Sequence, residues 1–328
     1  MKAIHLVRHG RPSQACECVD VSDVGDPADN EVVVEIGAAA INPADLLIME
    51  DRYPGPAELP ALIGIEGAGT VIATGASVRD LKPGDIVISM GRANWAERIK
   101  AKASQFLKVP AGLDLRDAAM LKANPLSAHF MLADFVDLAP GDWVIQNAAN
   151  SAVGRHVIGL ANASGINTIN VVRRPALIEE LKAHGGTIVI VDGDDVALRV
   201  RAETGGELPV RLAIDAVGGS ATMRLADCLS DAGTIVNYGF LSGDPCMIRS
   251  DQAILRDIRL RGFWLVPFMR SAPRAEIETL YRKMAEHFID GTLAVPIEAE
   301  YGLEQIGAAL DHANREGRSG KILLRPQA

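Results

Sequence analysis

Only four cysteines occur in the 328 residues, Cys16, Cys18, Cys228 and Cys246. They are too few and too scattered for a disulfide framework, which excludes the disulfide-stapled secreted classes and points to a reducing cytoplasm. Cys16 and Cys18 stand one residue apart. That is not the usual zinc spacing, and no His or Cys follows closely, so the pair reads as ordinary thiols. No apolar run reaches the about 18 residues that span a bilayer. Met1-Lys-Ala-Ile-His5 opens neither a signal-peptide apolar core nor an Arg/Ser-rich transit segment. The expectation is a cytoplasmic protein without a membrane partner. Positive charge is also short, with 33 Lys+Arg against 42 Asp+Glu and a net charge of −9. No basic run is dense enough to track a phosphate backbone, which argues against nucleic acid.

What is present suits a two-domain globular chain. Hydrophobic residues make up 48%, charged residues 23% and glycine 31 positions, and the length exceeds the usual single domain. Up to about Leu121 the signals are short strands and turns: Glu31-Val-Val-Val-Glu-Ile36, a Gly-interrupted stretch from Gly64 to Thr74, and Asp85-Ile-Val-Ile-Ser89 after the turn Lys82-Pro-Gly84. This half reads as a twisted, mostly antiparallel β domain.

From Asn124 apolar strand-like runs alternate with helical periodicity. Trp143–Asn147 leads into a helix from about Val153 to Ala163, Thr168–Val172 into Ala176–His184, and Thr187–Val191 into Val196–Thr204. The unit repeats with Leu212–Asp215, a helix near Ala221–Asp231, Thr234–Tyr238 and a last strand, Leu260-Arg-Gly-Phe-Trp264. Such alternation implies right-handed crossovers and an α/β, doubly wound parallel sheet, a Rossmann-type domain that binds its ligand beyond the strands' carboxyl ends. After a helix over Arg274–Ile289, the strand-like Gly320–Leu324 is expected to return to the first domain. The expected boundaries are 1–120 and 290–328 for the β domain and 121–289 for the dinucleotide domain.

The turn Gln146-Asn-Ala-Ala-Asn-Ser-Ala-Val-Gly154 sits where a dinucleotide pyrophosphate meets a strand-to-helix turn, with free N–H groups and the helix dipole favouring an anion. In Gly-x-Gly-x-x-Gly register Ala149 and Ser151 replace two glycines and only Gly154 remains. The second strand ends Asn170-Val-Val-Arg-Arg-Pro175, with no acid to take a ribose 2′-hydroxyl. Arg173 and Arg174 offer planar cationic forks suited to a 2′-phosphate, hence NADPH; the alternative is two solvated loop arginines.

Asn124-Pro125, the Val144–Gly154 run, Ile169–Arg173, Ala216-Val-Gly-Gly219, Asn237-Tyr-Gly239 and Leu260–Leu265, with Ile41-Asn-Pro-Ala-Asp45 and Tyr53-Pro54, recur in an order that resembles the 2-enoyl thioester reductases. These form a zinc-free, NADPH-dependent branch of the medium-chain dehydrogenase/reductase superfamily, and the likeness covers nearly the whole chain. It implies a GroES-like catalytic domain beside the Rossmann domain, with substrate between them. It also implies reduction of the C2–C3 double bond of a CoA or acyl-carrier thioester.

By that resemblance Tyr53 matches the tyrosine that protonates the α-carbon. Asn124 matches a cofactor-contacting Asn, and Asn150, Ser151, Ala152, Val153 and Gly154 the pyrophosphate turn. Arg173, Arg174 and Pro175 match the 2′-phosphate site, Tyr238, Gly239, Phe240, Leu241, Phe263, Trp264 and Leu265 the loops around the nicotinamide, and Lys321 a C-terminal cofactor-contacting lysine. Trp264 fits a buried core aromatic equally well. Ala152 and Arg174-Pro175 depart from the family's usual run. Zinc-dependent relatives carry ligands where this chain has Asn42 and Ile65 (in Gly64-Ile-Glu66), so no metal is expected.

Other readings remain. A quinone oxidoreductase of the same superfamily would have nearly the same nucleotide site, and a nucleotide-binding protein without turnover would keep the fold. Leu6-Val-Arg-His-Gly10 resembles the start of histidine phosphatases, but the chain after it has the wrong architecture. The edge strand near Arg261–Leu265 suggests a homodimer, since an unpaired edge invites continuation across a two-fold axis.

Overall fold

A computed structural model of the chain describes residues 1–206 and 209–327. The chain divides into two compact units, one of residues 1–123, 274–290 and 295–328, the other of residues 124–273 and 291–294.

The first unit is built from short strands that alternate between core and solvent. β1 (Lys2–Leu6) lies between β2 (Cys16–Asp20) and the two-residue β4 (Ala61–Leu62). The larger sheet centres on β3 (Glu31–Ala40), which pairs antiparallel with β5 (Ala68–Thr74) and with β7 (Arg98–Lys102); β6 (Ile86–Ser89) and β8 (Phe106–Lys108) extend it. β3 runs four residues past the expected Ile36, because Gly-Ala-Ala-Ala adds small residues that bury without disturbing the ladder. Val32, Val34, Ile36, Trp95 and Phe106 fill the core beneath it.

The second unit carries six parallel strands: β9 (Trp143–Gln146), β10 (Asn167–Val172), β11 (Ile188–Val191), β12 (Val210–Asp215), β13 (Thr234–Asn237) and β14 (Arg259–Gly262). Their order, β11-β10-β9-β12-β13-β14, reverses direction at β9. β9 to β13 are mostly buried, as expected when helices cover both faces of a parallel sheet. β14 closes the sheet as an edge strand with all four residues exposed.

At the chain's end β15 (Ile297–Tyr301) pairs parallel with β16 (Lys321–Leu324), and β16 joins β3 antiparallel, so the tail returns to the first sheet. The architecture is therefore α/β, a GroES-like β unit and a Rossmann-type unit. The helix Arg274–Ile289, read from sequence with the dinucleotide domain, is counted with the first unit. Arg274 donates to the carbonyls of Ser104 and Phe106 (2.5 and 2.6 Å), and the Tyr281 hydroxyl to that of Lys122 (2.8 Å). The helix Leu265–Ser271 is an addition to the elements expected from sequence. Pro267 hid it, yet proline in a first turn loses no intrahelical bond, because the N–H groups there have no partner in the helix.

Candidate active site

In the second unit the candidate dinucleotide turn stands on a buried polar scaffold. Gln146 Nε2 donates to the carbonyl of Gly154 (2.9 Å) and to Asn170 Oδ1 (2.8 Å), fastening the strand end to the first helical turn and to β10. Ser151 caps the helix Ala152–Ala163, its Oγ accepting from the N–H of Gly154 at 3.1 Å. A Cβ on Gly154 would stand 2.6 Å from the carbonyl oxygen of Ala149, so glycine alone lets the turn close over the helix. Ala148, just before the first fingerprint position, adopts φ 47°, a left-handed backbone uncommon for a residue with a Cβ. The turn therefore keeps the shape of a phosphate cradle although two of three glycines are replaced, and these residues fit a dinucleotide.

Under the cradle lies a residue the motif reading passed over. Asp215, fully buried at the end of β12, accepts from Asn147 Nδ2 (2.6 Å), the N–H groups of Val217 and Gly218 (2.9 and 3.1 Å), Thr222 Oγ1 (2.6 Å) and Asn237 Nδ2 (3.1 Å). Five donors around one carboxylate lock together the carboxyl ends of β9, β12 and β13, where the strand order leaves a crevice. Its partners lie up to 68 residues away in sequence. The only local signal was an acid before Ala216-Val-Gly-Gly219.

Burial pushes the Tyr238 phenol upward, and the Ser151 hydroxyl opposes that shift. Arg173 and Arg174 are exposed just past β10, and Pro175 opens a short 3-10 turn before the helix Ile178–Ala183. Gly239 is half-buried, and Phe240 and Leu241 are exposed in the loop after β13. Phe263 packs tilted against Phe130 and edge-on against Phe135. Trp264 is 42% exposed, so it is not a core aromatic, and Leu265 begins a helix instead of ending a strand. Asn124 is the first residue of the helix Asn124–Ala133.

In the first unit, Tyr53 follows the helix Pro43–Met49 and packs half-buried on the core. The chain reverses there through Asp51 (φ 57°), with the Arg52 N–H donating to the carbonyl of Leu47 at 2.8 Å. The Arg92 guanidinium lies over the Tyr53 ring, 5.6 Å from its centroid.

A buried polar cluster surrounds Asn42, one of the two positions where the resemblance puts a ligand in zinc-dependent relatives. Lys321, 6% exposed, donates to Asn42 Oδ1 (2.5 Å) and to the carbonyl of Ile41 (3.3 Å). Asn42 Nδ2 donates to Glu66 Oε2 (2.8 Å), and Glu66 Oε1 accepts from the N–H of Ala123 (2.5 Å). Asp45 accepts from the N–H groups of Asn42 and Ile65 (2.8 and 2.9 Å). Lys122 Nζ donates to the carbonyls of Ile65 and Gly91 (2.7 and 2.6 Å). Burial pushes Asp45 up to about 6 and holds Lys122 down to about 8 and Lys321 below the usual lysine range; the carboxylates oppose the lysine shifts. From sequence only Lys321 of this cluster carried a functional role; Asn42, Asp45 and Glu66 entered only through the motif and the missing zinc ligands, and their pairing, up to 279 positions apart, left no local signal.

The donor set does not fit zinc. Among the described residues no group of three or more His, Cys, Asp or Glu side chains could hold a metal ion. Both carboxylates already accept N–H donors, and two ammonium groups share their surroundings, which a zinc site would not tolerate.

Two family profiles match the chain. One is the alcohol dehydrogenase GroES-like domain over residues 28–112, the other the zinc-binding dehydrogenase over residues 152–286. A mitochondrial enoyl-[acyl-carrier-protein] reductase of Dictyostelium discoideum is 34% identical over 98% of this chain and 94% of its own length. A solved NADPH:quinone reductase, described as putative, from Bacillus thuringiensis superposes with a TM-score of 0.89 at 26% identity, covering 99% and 98% of the two chains. The mitochondrial 2-enoyl thioester reductase Etr1p/Etr2p heterodimer of Candida tropicalis does so with 0.87 at 26%, covering 99% of each. These relatives correct the expected cytoplasmic location, since the enoyl reductases among them are named mitochondrial. Free cysteines mark a reducing environment and do not select one compartment. On a match that spans almost its whole length, the chain belongs to the medium-chain dehydrogenase/reductase superfamily, alongside the enoyl-[acyl-carrier-protein] reductases.

Proposed function

We propose that this protein is an NADPH-dependent 2-enoyl thioester reductase. The observation that carries the reading is the 34% identity to an enoyl-[acyl-carrier-protein] reductase across 98% of the chain. NADPH, when bound, supplies a hydride for the β-carbon of the thioester. The chain's own residues do the rest. The turn from Asn150 to Gly154 and the capped helix end hold the pyrophosphate by backbone N–H groups and dipole. Arg173 and Arg174, exposed where the second strand ends without an acid, take the 2′-phosphate beside Pro175.

Asn124, the loop Tyr238–Leu241 and the segment Phe263–Leu265 are assigned to the ribose and nicotinamide end. Tyr53 donates its hydroxyl proton to the α-carbon; a phenol is neutral at pH 7 and can both hydrogen-bond and give up a proton. With no fitting metal, polarisation of the thioester carbonyl falls to hydrogen bonds, which suits conjugate reduction of an activated alkene.

The structural likeness to a quinone reductase favours a second reading, reduction of a quinone at the same nucleotide site. The discriminating experiment follows NADPH oxidation with a trans-2-enoyl-CoA and, in parallel, a simple quinone, for wild type and Tyr53→Phe. The expected outcome is enoyl turnover that falls at least about tenfold in Tyr53→Phe with NADPH binding intact. Quinone turnover in place of enoyl turnover, indifferent to Tyr53→Phe, would sink the enoyl reading and return Tyr53 to a structural role.

A further inference from the structure

Arg92 lies in the segment between β6 and β7, and that segment is anchored from below. Asn94 Nδ2 donates to the carbonyls of Gly64 (2.8 Å), Gly91 (3.0 Å) and Ile65 (3.3 Å). Lys122 Nζ bonds the Gly91 carbonyl at 2.6 Å and so fixes the residue next to Arg92. Trp95 is fully buried against Gly64, whose φ of 112° admits the ring where a Cβ would stand 2.3 Å from it. From this rigid base the exposed Arg92 side chain reaches over the face of Tyr53. The Lys122 ammonium adds positive charge close by, and the two cations oppose each other.

We propose that Arg92 is a positioning residue for the reduction, holding the Tyr53 ring and compensating the charge that Tyr53 acquires. This rests on Tyr53 being the proton donor. When the Tyr53 O–H bond breaks, its proton forms the new C–H bond with the electron pair at the substrate α-carbon. The O–H electron pair stays on the phenolate until water returns a proton. A cation over the ring face attracts the neutral phenol through its quadrupole and the phenolate more strongly, because the anion's charge spreads into the ring. The interaction grows as the proton leaves, so it accelerates the step instead of only binding the ground state. Arg92 itself exchanges no proton, since guanidinium stays charged.

The test compares wild type, Arg92→Met, Arg92→Lys, Tyr53→Phe and Arg92→Met/Tyr53→Phe, using NADPH and crotonyl-CoA in H2O and D2O. Arg92→Met is expected to lower kcat about tenfold, with KM for NADPH and the thermal midpoint unchanged and a larger solvent isotope effect. Arg92→Lys restores part of the rate, and Arg92→Met costs nothing further once Tyr53 is Phe. A kcat within twofold of wild type in Arg92→Met, a rise confined to KM for crotonyl-CoA, or full additivity in the double variant each overturns the proposal. If Tyr53→Phe keeps the wild-type rate, the reading of Tyr53 as proton donor fails first; if only Arg92→Met is silent, that reading survives and this one falls.

Discussion

Lys122 shows how much one buried side chain carries. Its ammonium ties the carbonyls of Ile65 and Gly91, and burial lowers it from the ordinary 10.5 to about 8. Between those values the unfolded chain binds a proton that the folded protein lacks, so this group makes stability rise with pH from about 8 to 10.5. Asp45 runs the other way: raised from 3.8 to about 6, it keeps its proton when folded, and its contribution falls as pH climbs through that window. Lys122→Met is expected to lower the thermal midpoint at pH 7 by a few degrees, because two buried carbonyls lose their donor, and to flatten the rise above pH 8. Thermal scans from pH 6 to 10 check it; an unaltered slope above pH 8 would show that another group sets it.

At the scale of elements, the strand-to-helix turn after β9 is the feature to which the proposed function assigns the pyrophosphate. Its shape comes from three separate devices: the Gln146 bonds beneath it, the Ser151 cap, and the missing side chain at Gly154. Gly154→Ala places a methyl within 2.7 Å of three backbone atoms of Ala149. That backbone cannot yield without moving the turn, so a loss of about 2 kcal/mol in stability and a weaker NADPH complex by at least about tenfold are expected. Cofactor fluorescence titration and a thermal melt measure both. Retained affinity with lost stability would mean that the turn does not hold the pyrophosphate.

For the whole molecule, the edge strand β14, all four of whose residues are exposed, is the feature that asks for a partner. An edge that can pair with its own copy across a two-fold axis satisfies unpaired backbone groups on both sides, and a homodimer is the expected state. Leu260, 38% exposed on that edge, is the residue to change. Wild type should sediment as a dimer at micromolar concentration and Leu260→Glu should shift it toward monomer. A monomeric wild type would remove the homodimer reading.

What the sequence determined by itself was the alternation of elements and the location of the first strand-to-helix turn of the second unit. Apolar periodicity and turn residues are local quantities, so Val196–Thr204 and Arg274–Ile289 are helices with the ends expected for them. The run Val144–Gly154 sits where a crossover turn must lie. Tertiary structure alone decided the polar interior. Asp215 draws donors from three strand ends, the Asn42–Glu66–Lys321 chain closes a loop of almost the whole sequence, and Arg92 meets Tyr53 across 39 residues. Hydrogen bonds and charge pairs form between groups that folding brings within about 3 Å, and no periodicity in a chain records which distant polar residue will be the partner.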